Sequence, residues 1–539
     1  MKINYISKIF VLSLACFSLT SCEDFLTEEN KSNVTAESYY ITSAGFESLL
    51  NANYSQLREI YGGDPWLFAA GTDLYAEGRS QEPVGLSQYR DLNPSSSGVD
   101  QLYNTCYRAI QLANQAIHYS GITEQSSSIS TSVGEVKFLR ALAYFNLVQT
   151  YGGVALVKDY INEPVLEFDR NSAEEVYSFI ISDLEEALNL VSSGAYNGRV
   201  NKRAVQHLLG KVYLTRGYED YGSSSDFSTA AAMLDQAIGG QGLDIPYSEL
   251  WRPENDGNAE TIFSVQYSAG SISADPLRLG NSQARYFGPY LGGSEVAGDA
   301  PQRSYNLCPT DYALGLFTQD DARWDASFMV TVYNRYFDEF DVDDKSGLGV
   351  FHYYAPAWIT EADSIAFVTK YPNATYHPYG TYSSQTVSLD YETIPLKKFD
   401  DPKASFGGRS STRDVVLARL GDTYLLAAEA YLKSGDASTG LARLNVVRNR
   451  AGVSDATPGE FDIDYILDER GRELLGEYHR WFDLKRTGKL VERASAYHRL
   501  VSEADFAGAN GELKILRPIP QSAIDLNQNR SFQQNPAYE

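Results

Sequence analysis

Cysteine is scarce in this chain, with 4 among 539 residues, and that excludes a fold stapled by disulfides. Stability has to come from packing. Cationic side chains are outnumbered, 45 Lys and Arg against 70 Asp and Glu for a formal net charge of −25, the opposite of what neutralising phosphates requires. Nucleic acid is excluded as a partner. Beyond the N-terminus no apolar run approaches the roughly 20 residues a membrane-spanning helix needs. The sequence also has no Gly-x-Ser-x-Gly elbow, no Gly-Lys-Ser/Thr phosphate loop, no His-Glu-x-x-His and no zinc-spaced cysteine pair. No cofactor is implied and no catalytic set stands out. Seventy carboxylates guarantee accidental acid pairs, from which sequence cannot select the two a glycosidase would hold at fixed separation. One acidic run, Asp338 to Gly347 (DEFDVDDKSG), has a calcium flavour, but Lys345 takes a ligand position and Gly347 comes one place late. It reads as a solvated loop, and no metal is expected.

What the chain does carry begins at its N-terminus. Lys2 and Lys8 form a positive n-region and Ile9 to Leu19 an apolar h-region too short to span a bilayer. The ending Leu19-Thr20-Ser21-Cys22 resembles a bacterial lipoprotein signal, so residues 1–21 would be removed and Cys22 acylated. The alternative is an ordinary secretory signal. Several acyl chains, at about 0.8 kcal/mol per buried methylene, would anchor the protein stably. Residues 22–41 then form a tether, with Glu23 and Asp24 keeping it hydrated. With Cys22 acylated, Cys106 and Cys308 allow at most one disulfide, and Cys106 reads as a buried small apolar residue.

Residues 42–240 read as a helical scaffold. Val136, Leu139, Ala143 and Leu147 make one apolar stripe, and Val176, Ile180, Leu184, Ala187 and Val191 make a second after an Asn171-Ser172 start signal. A pattern then recurs: Ala141-Leu142-Ala143-Tyr144, Gly210-Lys211-Val212-Tyr213 and Ala428-Glu429-Ala430-Tyr431, followed by second helices with Ala187, Ala237 and Ala442 at the packing face. Small residues let paired helices approach while tyrosine fills the space beside them, the logic of tetratricopeptide-like repeats. Residues 241–409 lose this period and turn to Gly, Pro, Ser and aromatics, with a β-like run at Thr261 to Val265. A loop-rich insertion this long is functional or disordered, and its aromatics argue against disorder. Helical periodicity returns over residues 410–539, closing once at Gly435 and then running from Ile463 through Phe482. Arg472, Glu473, Glu477 and Arg480 on that last stretch read as a solvated or salt-bridged face. The fold class is therefore mainly α, a repeat scaffold interrupted by an insertion with a few short strands.

In combination, these segments resemble the SusD/RagB family of outer-membrane nutrient-binding lipoproteins. The resemblance rests on Cys22-Glu23-Asp24-Phe25-Leu26, Arg140-Ala141-Leu142-Ala143-Tyr144-Phe145 with Tyr151-Gly152-Gly153-Val154, and Arg448-Asn449-Arg450-Ala451-Gly452. It continues through Glu469-Arg470-Gly471-Arg472-Glu473-Leu474, His479-Arg480-Trp481-Phe482-Asp483-Leu484 and Leu516-Arg517-Pro518-Ile519-Pro520. Ala155 departs from the proline common after the Tyr-Gly segment. The resemblance implies four tetratricopeptide-like units, anchorage in the outer membrane facing outward, and a lid on a SusC-like TonB-dependent transporter that receives captured oligosaccharide. A peptide-binding member of the same family is the alternative, and a lipid-anchored glycoside hydrolase a more distant one.

The chain holds 39 tyrosines and 5 tryptophans. A tyrosine ring can lie against the C–H face of a sugar while its hydroxyl bonds to neighbouring hydroxyls. The insertion supplies Tyr286, Phe287, Tyr290, Tyr353, Tyr354, Trp358, Tyr376, Tyr379 and Tyr382 as candidate platforms, of which Tyr286, Tyr290, Tyr354 and Trp358 are selected. The alternative for each is packing onto the scaffold. By the resemblance, loops after the first long helix contribute polar partners, and the matching region offers Asp73 and Arg79, then Tyr89 and Asn93.

Overall fold

A computed structural model describes residues 35–78, 80–81, 83–268, 280–289, 291, 300–386, 392–404 and 410–539. Its frame is four helix pairs: α1 (Ser43–Tyr61) with α2 (Val99–Ser120), α3 (Ile129–Tyr151) with α4 (Ala173–Leu190), α5 (Lys202–Arg216) with α6 (Asp226–Ile238), and α7 (Leu420–Ser434) with α8 (Ala437–Ala451). The starts are written in the sequence. Ser172 accepts from the Glu175 amide and Glu175 answers at the Ser172 amide, a capping box at the predicted start of α4. Asn201 caps α5 by accepting from the Ala204 amide and Asp436 caps α8 by accepting from the Thr439 amide, and α7 ends on Gly435 at φ 94°.

Within the second, third and fourth pairs a glycine sets the approach. A Cβ on Gly134 of α3 would lie 2.7 Å from the Leu190 side chain, and one on Gly210 of α5 would lie 2.6 Å from Leu234 of α6. On α8 it is Gly440, facing the Ala428 carbonyl, that lets α7 come close. Ala187 and Ala237 are buried as expected, but Ala442 is exposed, because Gly440 and Leu444 form the inner face of α8. Two of the three repeat tyrosines join one pair to the next, Tyr213 donating to Glu185 at 3.0 Å and Tyr431 to Asp235 at 2.6 Å, while Tyr144 donates to Val157 within its own pair. The stripe expected on α3 is one of several buried faces, since α2 and α4 flank that helix. Arg140 on α3 ties the layers together through Asp183 (2.7 and 2.8 Å) and Asn114 (2.7 Å).

The strands are β1 (Tyr75–Ala76), β2 (Thr261–Val265), β3 (Cys308–Pro309), β4 (Thr331–Tyr333), β5 (Val350–Tyr354), β6 (Thr375–His377) and β7 (Val415–Arg419). β2 falls on the predicted run and pairs antiparallel with β7, which continues directly into α7. This clasp joins the two ends of the insertion and lets the fourth helix pair stack on the third, sharing a core of Leu214, Ala230, Leu234, Leu420 and Leu425. β1 pairs with β3, and β4, β5 and β6 form a small mixed sheet. Cys106 and Cys308 are both buried and free, and Cys22 lies outside the described residues. The acidic run opens as a short helix, Asp338–Asp341, with Arg335 bridging Asp338 and Asp341.

The helix expected from Ile463 through Phe482 is two: α9 (Ile463–Glu473) and α10 (Arg480–Arg486). Gly476, at φ 77° and with a Cβ position only 2.6 Å from Leu396, turns the chain between them. The charges read as solvated or salt-bridged are salt-bridged, but inside the molecule. Glu473 receives Arg419 at 2.6 Å, Arg323 at 3.3 Å and Arg450, while Glu477 receives Lys398 at 2.6 Å and Arg419 at 2.8 Å. Arg323 and Lys398 come from the insertion, so this network welds it to the scaffold.

The network carries a pH dependence. Burial opposes ionisation of Glu469, but Arg323, Arg472 and Arg448 bring its pKa from 4.5 down to about 2. Burial likewise opposes Asp483, which Arg470 and Arg486 lower from 3.8 to about 2. A carboxylate depressed in the folded state contributes stability above its unfolded pKa and loses it as pH falls through its folded one. Glu260 and Asp400, raised by burial, work in the opposite direction. The thermal midpoint is expected to hold from pH 7 to 5 and to fall between about pH 4.5 and 2. Circular dichroism melts across that range check it, and a midpoint unchanged at pH 2 contradicts the weld.

Candidate functional site

Four segments converge where the insertion meets the loop joining α1 to α2. Residues 75–78 are fixed by the β1–β3 pairing and by the Gly78 amide, which donates to the Tyr305 carbonyl at 2.9 Å. The exposed Arg499 grips the same segment through the carbonyls of Glu77 (2.7 Å) and Gly78 (3.0 Å). Beneath it, Glu77 meets His498 at 3.1 Å; burial works to raise its pKa, and the His498 hydrogen bond and charge carry it below the usual value instead. Asn306 donates to Ser80 at 3.0 Å, and the Ser384 amide donates to Pro309 at 2.8 Å. Gln385 sits between two segments, accepting from the Asp311 amide and donating to the Tyr497 carbonyl, both at 3.2 Å.

Aromatic surface gathers on this face. Tyr497 lies flat on Tyr312, ring centroids 3.8 Å apart and planes 14° from parallel, and stays 37% exposed. The Tyr312 hydroxyl receives Arg493 at 2.6 Å and bonds Asp468, which fixes the inner ring of the stack. Tyr379, 39% exposed, stands edge-on to the buried Tyr382 at 6.1 Å. Flat rings beside an amide and a guanidinium can take the apolar face and the hydroxyls of a sugar together. Among the described residues no group of three or more His, Cys, Asp or Glu is placed to hold a metal.

An open cleft of about 1030 Å³ lies between Trp251, Arg252, Phe340, Lys345 and Lys403 and shares no residue with this face. Its charges are largely spent on one another: Glu339 with Lys345 and Lys397, Glu254 with Lys403, and Asp256 with Arg413.

Several residues selected from sequence have other work. Asp73 has no exposed surface, and both its oxygens are taken by Arg480 at 2.7 and 2.6 Å, so no hydroxyl can reach it. Tyr89 is equally enclosed, bonding the Gly71 carbonyl and lying beneath Arg517. Tyr286 is buried edge-on against Trp66, with its hydroxyl on Asp64. Tyr354 is fully buried and stacks on His377 at 4.5 Å. Tyr286 and Tyr354 are thus interior packing and not ligand platforms, because an aromatic-rich insertion must use many of its rings to cover itself, and Asp73 and Tyr89 are buried partners of Arg480 and Arg517 and not hydroxyl ligands. Asn93 is exposed but holds its own turn through Asp91 and Ser95. Trp358 is half-buried, its ring 5.3 Å from that of Trp324. Arg79 and Tyr290 lie outside the described residues. Tyr312, Gln385, Tyr497 and Arg499 are not among the residues selected from sequence; the one available signal is a tyrosine and an arginine two residues apart just where the helix Leu490–Tyr497 ends.

Comparison with known proteins agrees with this architecture. Residues 259–538 match the model of the SusD family, and residues 24–214 match a second model described as starch-binding, associating with outer membrane. SusD-like protein P25 of Formosa agariphila is 24% identical, over 90% of this chain and 91% of its own. The starch-binding protein SusD of Bacteroides thetaiotaomicron is 23% identical, over 85% of this chain and 82% of its own. A solved laminarin binding SusD-like protein superposes with a TM-score of 0.69 at 25% identity, covering 92% of this chain and 100% of that one. With one family model spanning more than half of its length and the helix-pair frame in common, this chain belongs to the SusD family.

Proposed function

We propose that this protein captures oligosaccharides at the outer face of the outer membrane, anchored through acylated Cys22, and delivers them to a SusC-like TonB-dependent transporter without cleaving them. The observation that carries this reading is the Tyr312–Tyr497 stack, open on its outer side and flanked by Tyr379, Gln385 and Arg499. Relatives named for starch and laminarin binding support the ligand class. Rings of this kind, with a few hydrogen bonds, are enough for a micromolar complex, about −8 kcal/mol.

The reading is tested with the mature chain carrying Cys22→Ala, titrated against a panel of soluble polysaccharides and oligosaccharides by calorimetry, with reducing ends assayed in parallel. Saturable binding and no new reducing ends is the expected result. Turnover would overturn it, and binding of peptides alone would replace the ligand class. Pull-down of a TonB-dependent transporter by the lipidated protein tests the partner.

A further inference from the structure

Apolar side chains are exposed together at the place where the described chain begins. Tyr39 is 38% exposed, Ile41 39% and Ile122 56%. The backbone brings them to one spot: the Glu124 amide donates to the Ile41 carbonyl at 2.9 Å, and the Ile122 amide to Tyr119 at 3.1 Å. Tyr40 packs edge-on against Tyr119 at 5.2 Å, and His118 and Tyr160 lie side by side at 5.4 Å around the same corner. Tyrosine rings bordering isoleucines make the composition of a membrane-interface belt, where amphipathic rings sit at headgroup level.

The length of chain leading here names what covers the patch. From Cys22 to Thr35 there are 13 peptide steps, which reach at most about 45 Å. In an anchored protein this corner, beside Thr35, is therefore the part of the described chain that the tether itself holds near the lipid, within about 45 Å. We infer that Tyr39, Ile41 and Ile122 seat in the lipid headgroup layer beside the acyl anchor, giving the protein a second, non-covalent membrane contact. The inference rests on the proposed acylation of Cys22. Glu37 and Glu124 border the patch, so the contact is apolar, not one of cations with anionic lipid.

The test uses the full lipidated protein carrying Ile122→Trp, in vesicles of phosphatidylethanolamine and phosphatidylglycerol with brominated acyl chains. Fluorescence of the wild-type protein is subtracted. The added tryptophan is expected to be quenched at least about twofold and shifted to the blue, equally at low and high salt. Val368→Trp, on the insertion helix Glu361–Lys370 where Val368 is 49% exposed, is expected to stay unquenched. Mass spectrometry of Cys22 and vesicle flotation separate the two layers of the argument. If the protein is acylated and floats, yet Ile122→Trp is quenched no more than Val368→Trp, the membrane contact is overturned while the anchor stands. An unmodified Cys22 in protein that does not float overturns the anchor, and the contact with it. Quenching that vanishes at high salt overturns the apolar character of the contact.

Discussion

Replacing Glu473 with alanine is expected to destabilise the protein by about 3–5 kcal/mol, the cost of removing one partner from a buried ion pair. The magnitude follows from what is left behind. Glu473 has no solvent exposure, and the three guanidinium groups it serves, Arg323, Arg419 and Arg450, are at most 4% exposed in their side chains. Water cannot enter to replace the carboxylate without opening the seam between insertion and scaffold. Glu473→Gln keeps the shape and the acceptor but not the charge, so it is expected to recover only a minor share of the loss. Urea titration followed by tryptophan fluorescence checks both variants, with Trp251 and Trp324 reporting on the insertion. Alanine within about 0.5 kcal/mol of the parent would show that the arginines are solvated after all, and would withdraw the weld.

Replacing Tyr497 with alanine is expected to weaken oligosaccharide binding by about 2 kcal/mol, roughly thirtyfold, within the range found for exposed aromatic anchors. The ring is over a third exposed, so the melting temperature should barely move. Tyr497→Phe keeps the stacking surface and is expected to retain most of the affinity. Tyr379→Ala should cost less, as its ring has only an edge contact beneath it. In contrast, Tyr354→Ala is expected to unsettle the insertion and not the complex alone, because that ring is fully enclosed. Calorimetry paired with melting curves makes the distinction. Unchanged affinity in Tyr497→Ala, for a glycan the parent protein binds, would move the site away from this face.

The scaffold was legible because helix burial writes itself into local periods. The stripe from Val176 to Val191, the Asn171-Ser172 start signal before it, and the small-small-tyrosine pattern at residues 141–144, 210–213 and 428–431 all mark real helices. β2 was legible for the same reason. The site was not, since which face of a tyrosine is open depends on partners hundreds of residues away. Tyr497 is defined by Tyr312, and Asp73 is removed from the surface by Arg480. Nothing near Asp73 in the chain announces that arginine. The break at Gly476 was hidden by a hydrophobic pattern that continues across it, even though one helix ends before it and another begins after it.

The β2–β7 clasp has an evolutionary consequence. Because the two ends of residues 266–414 leave from adjacent hydrogen-bonded strands, the scaffold asks two things of that segment, that its doorway closes and that Arg323 and Lys398 reach the buried carboxylates behind it. Closing a longer loop costs only about 0.6 kcal/mol for each doubling of its length. Descendants of this architecture are thus free to lengthen, shorten or exchange the loops lying away from those two cations, while the coiled frame behind them stays as it was.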